Sequence, residues 1–157
     1  MRRALFLLGL VGCTPSTAAT EPSDTPTQTT RWTVVTDRAG LDAALARVGT
    51  RSLLLDVNAS WCMPCVALER ETFADARVVA ALADHSWIAL DVSEGSDPQL
   101  ALQTLLGAET LPHIRRYDDA SVLLAALRSG AKTAPKSALE LHMFVTADEL
   151  LGALAKP

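Results

Sequence analysis

Cysteine is scarce in this chain, and what is missing around it narrows the chemistry first. Three cysteines occur in 157 residues: Cys13, Cys62 and Cys65. No second closely spaced pair accompanies Cys62 and Cys65. A structural zinc centre wants four ligands, and the chain adds only the scattered His85, His113 and His142. Positive charge is also in deficit. The 14 basic and 18 acidic residues give a net charge of −4, which argues against a nucleic-acid or anionic-lipid surface. No apolar run is long enough to span a bilayer. No segment repeats. Apolar segments recur from Trp32 onward, over a length suited to one domain.

The N-terminus reads as a targeting segment. Met1-Arg2-Arg3 followed by Ala4 to Val11 has the charged n-region and short h-region of a secretory signal. It ends in Leu10-Val11-Gly12-Cys13, which resembles the lipobox of bacterial lipoproteins. That resemblance implies a signal peptide over 1–12, cut before Cys13, with Cys13 lipidated. A lipid on Cys13 accounts for the odd thiol that three cysteines leave in a secreted chain. Residues 13–31 are rich in Thr, Ser and Pro, lack an apolar period, and are expected to form a flexible tether. The folded domain is expected over 32–157, on the periplasmic side of a bacterial membrane.

The richest motif is Trp61-Cys62-Met63-Pro64-Cys65, directly after the apolar run Leu53-Leu54-Leu55-Asp56-Val57. Cysteines three apart on a helix lie on one face, within the Cα separation a disulfide tolerates. A helix start places unpaired N–H groups near Cys62, which favours its thiolate, the nucleophile of thiol–disulfide exchange. Pro64 fits the first turn, where its missing N–H costs nothing. An inert structural disulfide is the plainer reading, but so short a loop stabilises little.

The flanking pattern alternates. Trp32–Thr36 reads as a strand, and Asp37 caps a helix that ends at Gly49. Ser52–Val57 reads as a strand covered on both faces. A long helix is expected from Cys62 through Leu82, with Asp75 marking a kink or a fresh start. Trp87–Val92 is a strand, and Asp97-Pro98 opens a helix to Gly107. His113–Tyr117 and Val122–Leu127 are expected as a hairpin, and a last helix starts at Thr146. This order predicts an α/β fold, a mixed central sheet with helices on both faces.

These residues resemble the thioredoxin fold. More narrowly, Trp32 to Pro112 resembles the C-terminal periplasmic domain of the DsbD thiol:disulfide interchange proteins. The matching stretches are Leu54 to Cys62, Cys65 to Glu69, Glu71 to Asp75 and Val78 to Asp84. Beyond Pro112 the likeness weakens, and Arg128–Leu141 looks longer than the family's connection to the last helix. The resemblance implies a membrane-tethered disulfide reductase or interchange protein whose only redox group is the Cys62–Cys65 disulfide. Oxidised extracytoplasmic proteins would be its substrates. The family's membrane helices are not in this sequence, which implies a separate membrane electron donor.

The same resemblance assigns roles. Cys62 is expected as the exposed attacking thiolate and Cys65 as the resolving thiol. Trp61 shapes the rim. Pro112 matches the cis-proline facing the cysteines, and Leu111 would offer backbone groups to an extended substrate. Asp56 and Glu69 match acidic positions of the family. Asp56 lies in a strand buried on both faces, so its pKa should rise and it should take the Cys65 proton. Glu69, four residues after Cys65, should lie on the cysteine face of the helix. Another class stays open: a copper(I)-binding module or metallochaperone using Cys62, Cys65 and either Met63 or His113 as soft ligands.

Overall fold

A computed structural model describes residues 31–156. The expected signal peptide and the expected lipidation site Cys13 lie outside the described residues, as does all of the expected tether except Arg31. The chain runs β1 (Trp32–Val35), α1 (Arg38–Val48), β2 (Leu53–Asn58), α2 (Met63–Ala67), a π-helical turn (Leu68–Thr72), α3 (Ala76–Ala81) and β3 (Ser86–Asp91). It continues through α4 (Asp97–Leu106), β4 (His113–Tyr117), α5 (Ser121–Arg128), β5 (Leu139–His142) and α6 (Ala147–Leu154). The strands form one mixed sheet in the order β1-β3-β2-β4-β5. β1, β3 and β2 are parallel, whereas β4 runs antiparallel to both β2 and β5.

β2 is central because its side chains suit burial on both faces: Leu53 to Val57 are all buried. Leu53, Leu55 and Val57 face a layer built with Leu41 and Leu45 of α1, Leu102 and Leu106 of α4, and Leu127 of α5. Leu54 faces the other layer, with Leu68, Phe73, Val78 and Leu150. Alternation along the strand places Asp56 on the Leu54 side, under the α2–α3 segment. Helices therefore cover both faces, as the alternating pattern predicts.

Two expectations are corrected. Val122–Leu127 is not a strand but lies within α5. A short apolar run does not distinguish strand from buried helix by itself. Here Leu and Ala dominate the run, both good helix formers, and Leu123 and Leu127, four apart, bury together. The hairpin partner of β4 is instead Leu139–His142, in the segment beyond the reach of the family likeness. The long helix expected after Cys62 is also interrupted. It widens into the π turn at Leu68 and restarts at α3, where the Asp75 carboxylate accepts the Arg77 N–H.

Candidate functional site

The cysteine site is built at the carboxyl end of β2. After Asn58 the chain turns through Ala59-Ser60-Trp61, with the Cys62 N–H donating to the Ala59 carbonyl. Cys62 is the N-cap of α2, with extended backbone, and Pro64 occupies the first turn. Cys62 and Cys65 are joined as a disulfide with a Cα–Cα separation of 5.3 Å. The Cys65 backbone N–H donates to Cys62 Sγ at 3.3 Å. A backbone donor at that position stabilises negative charge on a Cys62 thiolate.

Cys62 is not the exposed cysteine expected. It is only 6 % exposed, the same as Cys65, because both side chains pack into the apolar layer beside Val57, Ala59 and Val92. The two sulfurs differ in access instead. Cys62 lines a groove of about 680 Å³ with Trp61, Met63, Leu100, Ala108 and Leu111, and Cys65 is not among its walls. Trp61 stands on the rim, 63 % exposed, with its indole N–H donating to the Ser93 carbonyl at 3.0 Å. Ser93 Oγ in turn accepts the Ser60 N–H. Leu100 of α4 is half exposed and forms the opposite lip.

The Leu111–Pro112 bond is cis. Pro112 is buried, and its carbonyl accepts the Met143 N–H from just past β5. Met143 has a φ of 68°, a left-handed conformation uncommon outside glycine.

Asp56 is 5 % exposed. Burial drives its pKa up to about 7; the Asn58 amide, donating to Oδ2 at 2.7 Å, opposes the rise, and the charge of Glu69 adds to it. Oδ1 has no partner among the described residues. A carboxylic acid titrating near neutrality can both hold and accept a proton. Glu69 lies in the π turn, exposed, and reaches Asp56 through its field.

His113, a candidate copper ligand in sequence, sits on β4 opposite His142 of β5. Its ring stacks edge-on to His142, with centroids 4.5 Å apart. Burial pushes its pKa down to about 4, with His142 and Arg115 adding to that and Glu140 opposing it. Sequence reasoning assigned no site role to Asn58, Ser93, Leu100 or Glu140, and weighed His142 only as a scattered histidine. Asn58 could have been found from its period-two spacing to Asp56, and Glu140 and His142 from the alternation Leu139-Glu140-Leu141-His142.

A redox-capable cysteine pair at a helix start, on a mixed sheet flanked by helices, with Leu111 of a cis Leu111–Pro112 peptide lining the groove onto which Cys62 opens, defines a thioredoxin-type dithiol–disulfide protein. The family model described as Thioredoxin-like matches residues 37–119, more than half of the chain, and the chain belongs to that family. It is 37 % identical over 84 residues to the thiol:disulfide interchange protein DsbD of Yersinia enterocolitica, covering 54 % of this chain and 14 % of that protein. DsbD 1 of Pseudomonas aeruginosa is 38 % identical over 90 residues, covering 56 % of this chain and 15 % of that protein. The chain thus matches only a small part of the length of these relatives. Among solved structures, the oxidised DsbD C-terminal domain of Neisseria meningitidis superposes with a TM-score of 0.52 at 20 % identity, covering 76 % of this chain and 95 % of that domain. At that identity the likeness speaks for the fold.

Proposed function

We propose that the protein is an extracytoplasmic thiol:disulfide interchange protein that reduces disulfides in other proteins, held at a membrane by a lipid on Cys13. The observation that carries the reading is the Cys62–Cys65 disulfide, with Cys62 opening into an apolar groove that Leu111 of the cis Leu111–Pro112 peptide also lines. Similarity to DsbD proteins supports it. No helix among the described residues is long and apolar enough to cross a membrane. In this reading a membrane protein supplies the electrons.

In the reduced protein the Cys62 thiolate, steadied by the Cys65 N–H, attacks one sulfur of a substrate disulfide. A mixed disulfide forms and the other substrate sulfur leaves as a thiolate. Asp56 takes the Cys65 proton, directly or through water, and the Cys65 thiolate attacks Cys62 Sγ. The Cys62–Cys65 bond closes and the second substrate thiolate departs. Two electrons pass to substrate, and a dithiol donor must restore the reduced pair. The apolar groove bounded by Trp61, Leu100 and Leu111 receives the segment flanking the substrate disulfide.

The test is a pair of serine variants. Cys62→Ser should bring turnover of a model protein disulfide to background, and Cys65→Ser should accumulate a mixed disulfide on Cys62, visible by intact mass. Full activity in Cys62→Ser overturns the assignment. Inactivity of the wild-type dithiol, together with cysteine-dependent copper(I) binding that withstands a strong chelator, would favour the carrier reading instead.

A further inference from the structure

The face of the β4–β5 hairpin carries a cluster that thiol exchange does not use. His113, Arg115, Glu140 and His142 project from one side, since His113 pairs with His142 and Arg115 with Glu140 across the two strands. Their neighbours Ile114, Leu139 and Leu141 pack into the layer on the opposite side. One donor atom from each of His113, Glu140 and His142 lies within 4.8 Å of the other two.

His113 is fully buried, yet neither ring nitrogen has a hydrogen-bond partner among the described residues. A buried imidazole without partners is costly, and native structures seldom keep one without use. Nε2 faces Glu140 Oε1 at 3.4 Å, and His142 Nε2 lies 3.7 Å from the same oxygen. The other carboxylate oxygen, Oε2, accepts from Arg115 at 2.9 Å. Arg115 is fixed in turn by the Leu106 carbonyl at 2.8 Å. The guanidinium therefore holds one oxygen and aims the second at both imidazoles, as outer-shell partners do for ligating carboxylates.

We propose that His113, Glu140 and His142 form a site for a divalent transition metal of the zinc class. Two neutral imidazoles and one carboxylate are a known donor set for Zn²⁺, leaving a fourth position for water. Tetrahedral bonds of about 2.1 Å put ligands about 3.4 Å apart, close to the two nitrogen–oxygen separations already present. Glu140 and His142 are partly exposed, which gives the ion an entry path. Arg115 adds positive charge beside the site, so it lowers affinity while it orients the carboxylate. The site is separate from the cysteines in sequence and is joined along the chain to their groove through the cis Leu111–Pro112 peptide, whose Leu111 lines that groove. His113 follows Pro112, and His142 precedes Met143, whose N–H binds the Pro112 carbonyl.

The experiment uses the untagged full chain, fully oxidised and then alkylated, so that no cysteine can bind metal. Isothermal titration with Zn²⁺ should give one equivalent bound, with a rise in melting temperature that grows with Zn²⁺ concentration. Cobalt(II) should give the intense visible bands of a four-coordinate site. His142→Ala, at an exposed position, and Glu140→Gln, which keeps the shape, should each weaken Zn²⁺ binding by about tenfold or more and leave the metal-free fold unchanged by circular dichroism. Absence of stoichiometric Zn²⁺ binding overturns the proposal. So does wild-type affinity in His142→Ala. Activity of the cysteine pair is not the readout, so failure here leaves the redox reading intact.

Discussion

Asp56 and His113 lie on neighbouring strands of one sheet, on opposite faces, and burial acts on them in opposite senses. Asp56 pairs with Ile114, and the next residue, Val57, pairs with His113. Each is buried and carries polar atoms without partners among the described residues. Burial disfavours the charged form of each group, lifting the carboxyl to about 7 and lowering the imidazole to about 4. Near neutral pH this gives two different tools. On the face under the α2–α3 segment stands an acid poised to exchange a proton. On the other face stands an imidazole whose lone pair is free of protons. The same physics thus suits one face to proton transfer and the other to ligation.

The sharpest way to break this contrast is Asp56→Asn. If Asp56 takes the proton of the resolving thiol, resolution of a preformed mixed disulfide should slow by on the order of 10²-fold, the usual scale for a positioned base. The rate should also lose its inflection near pH 7. Stopped-flow measurement across pH 5–9 checks both, and an unaltered inflection would remove Asp56 from the proton path.

Stability against pH separates the two groups next. Between pH 3.8 and about 7 the folded protein holds the Asp56 proton more often than the unfolded chain does, so this group makes stability fall as pH rises. His113 acts oppositely between about 4 and 6.5, where the unfolded chain is the more protonated, so stability rises with pH. The slopes nearly offset in the wild type. In EDTA, Asp56→Asn should expose the rising slope, worth up to about 3 kcal/mol, and His113→Leu the falling one, up to about 4 kcal/mol. Urea unfolding of the oxidised protein at pH 4, 5.5 and 7.5 measures them. Parallel curves in the two variants would mean that the burial of one group is not felt on folding.

The groove is the next smaller test. Leu100→Asp puts a charge on the lip opposite Trp61, so KM for a protein disulfide with apolar flanks should rise by about tenfold, equivalent to one buried apolar contact. Reduction of a small-molecule disulfide should not change, and stability should move by less than about 0.5 kcal/mol, as at other surface positions. Equal loss on both substrates would place Leu100 outside the substrate path.

The cysteine half of the molecule was far more legible in sequence than the hairpin half. The apolar run before Trp61, the cap at Asp37 and the stop at Gly107 each carry a local signal, and each is found in place. The π turn carries none, because its apolar spacing passes for an ordinary helix until backbone hydrogen bonds are known. Val122–Leu127 was misread because a short apolar run fits both periods. The pairing of His113 with His142 joins residues 29 apart in sequence, and only the register of β4 on β5 brings them together. Alternation in Leu139–His142 marked a strand, but nothing local named its partner. Access to the sulfurs was equally hidden, since the burial of Cys62 depends on Val57, Ala59 and Val92, and its opening on the groove walled by Trp61 and α4, rather than on its place in the motif.

The smallest expected effect belongs to Glu69. Its charge is the least of the three influences on Asp56, after burial and the Asn58 amide, and it sits exposed on the π turn. A charge acting from the surface is screened by salt over about 8 Å at physiological ionic strength, whereas burial is not. Glu69→Gln should therefore lower the Asp56 inflection by only a few tenths of a unit, and mainly in dilute buffer. Removing a negative charge near the cysteines should also lower the Cys62 pKa slightly, in the same direction as Asp56→Asn and by less. Alkylation rates of reduced Cys62 against pH, in about 10 mM and about 1 M salt, measure this, the Debye length falling from about 30 to about 3 Å. A shift that appears at low salt and disappears at high salt makes Glu69 a field-acting residue. A shift that survives high salt would mean that Glu69 touches the site directly, and no shift in either buffer would leave Asp56 tuned by its own face of the sheet alone.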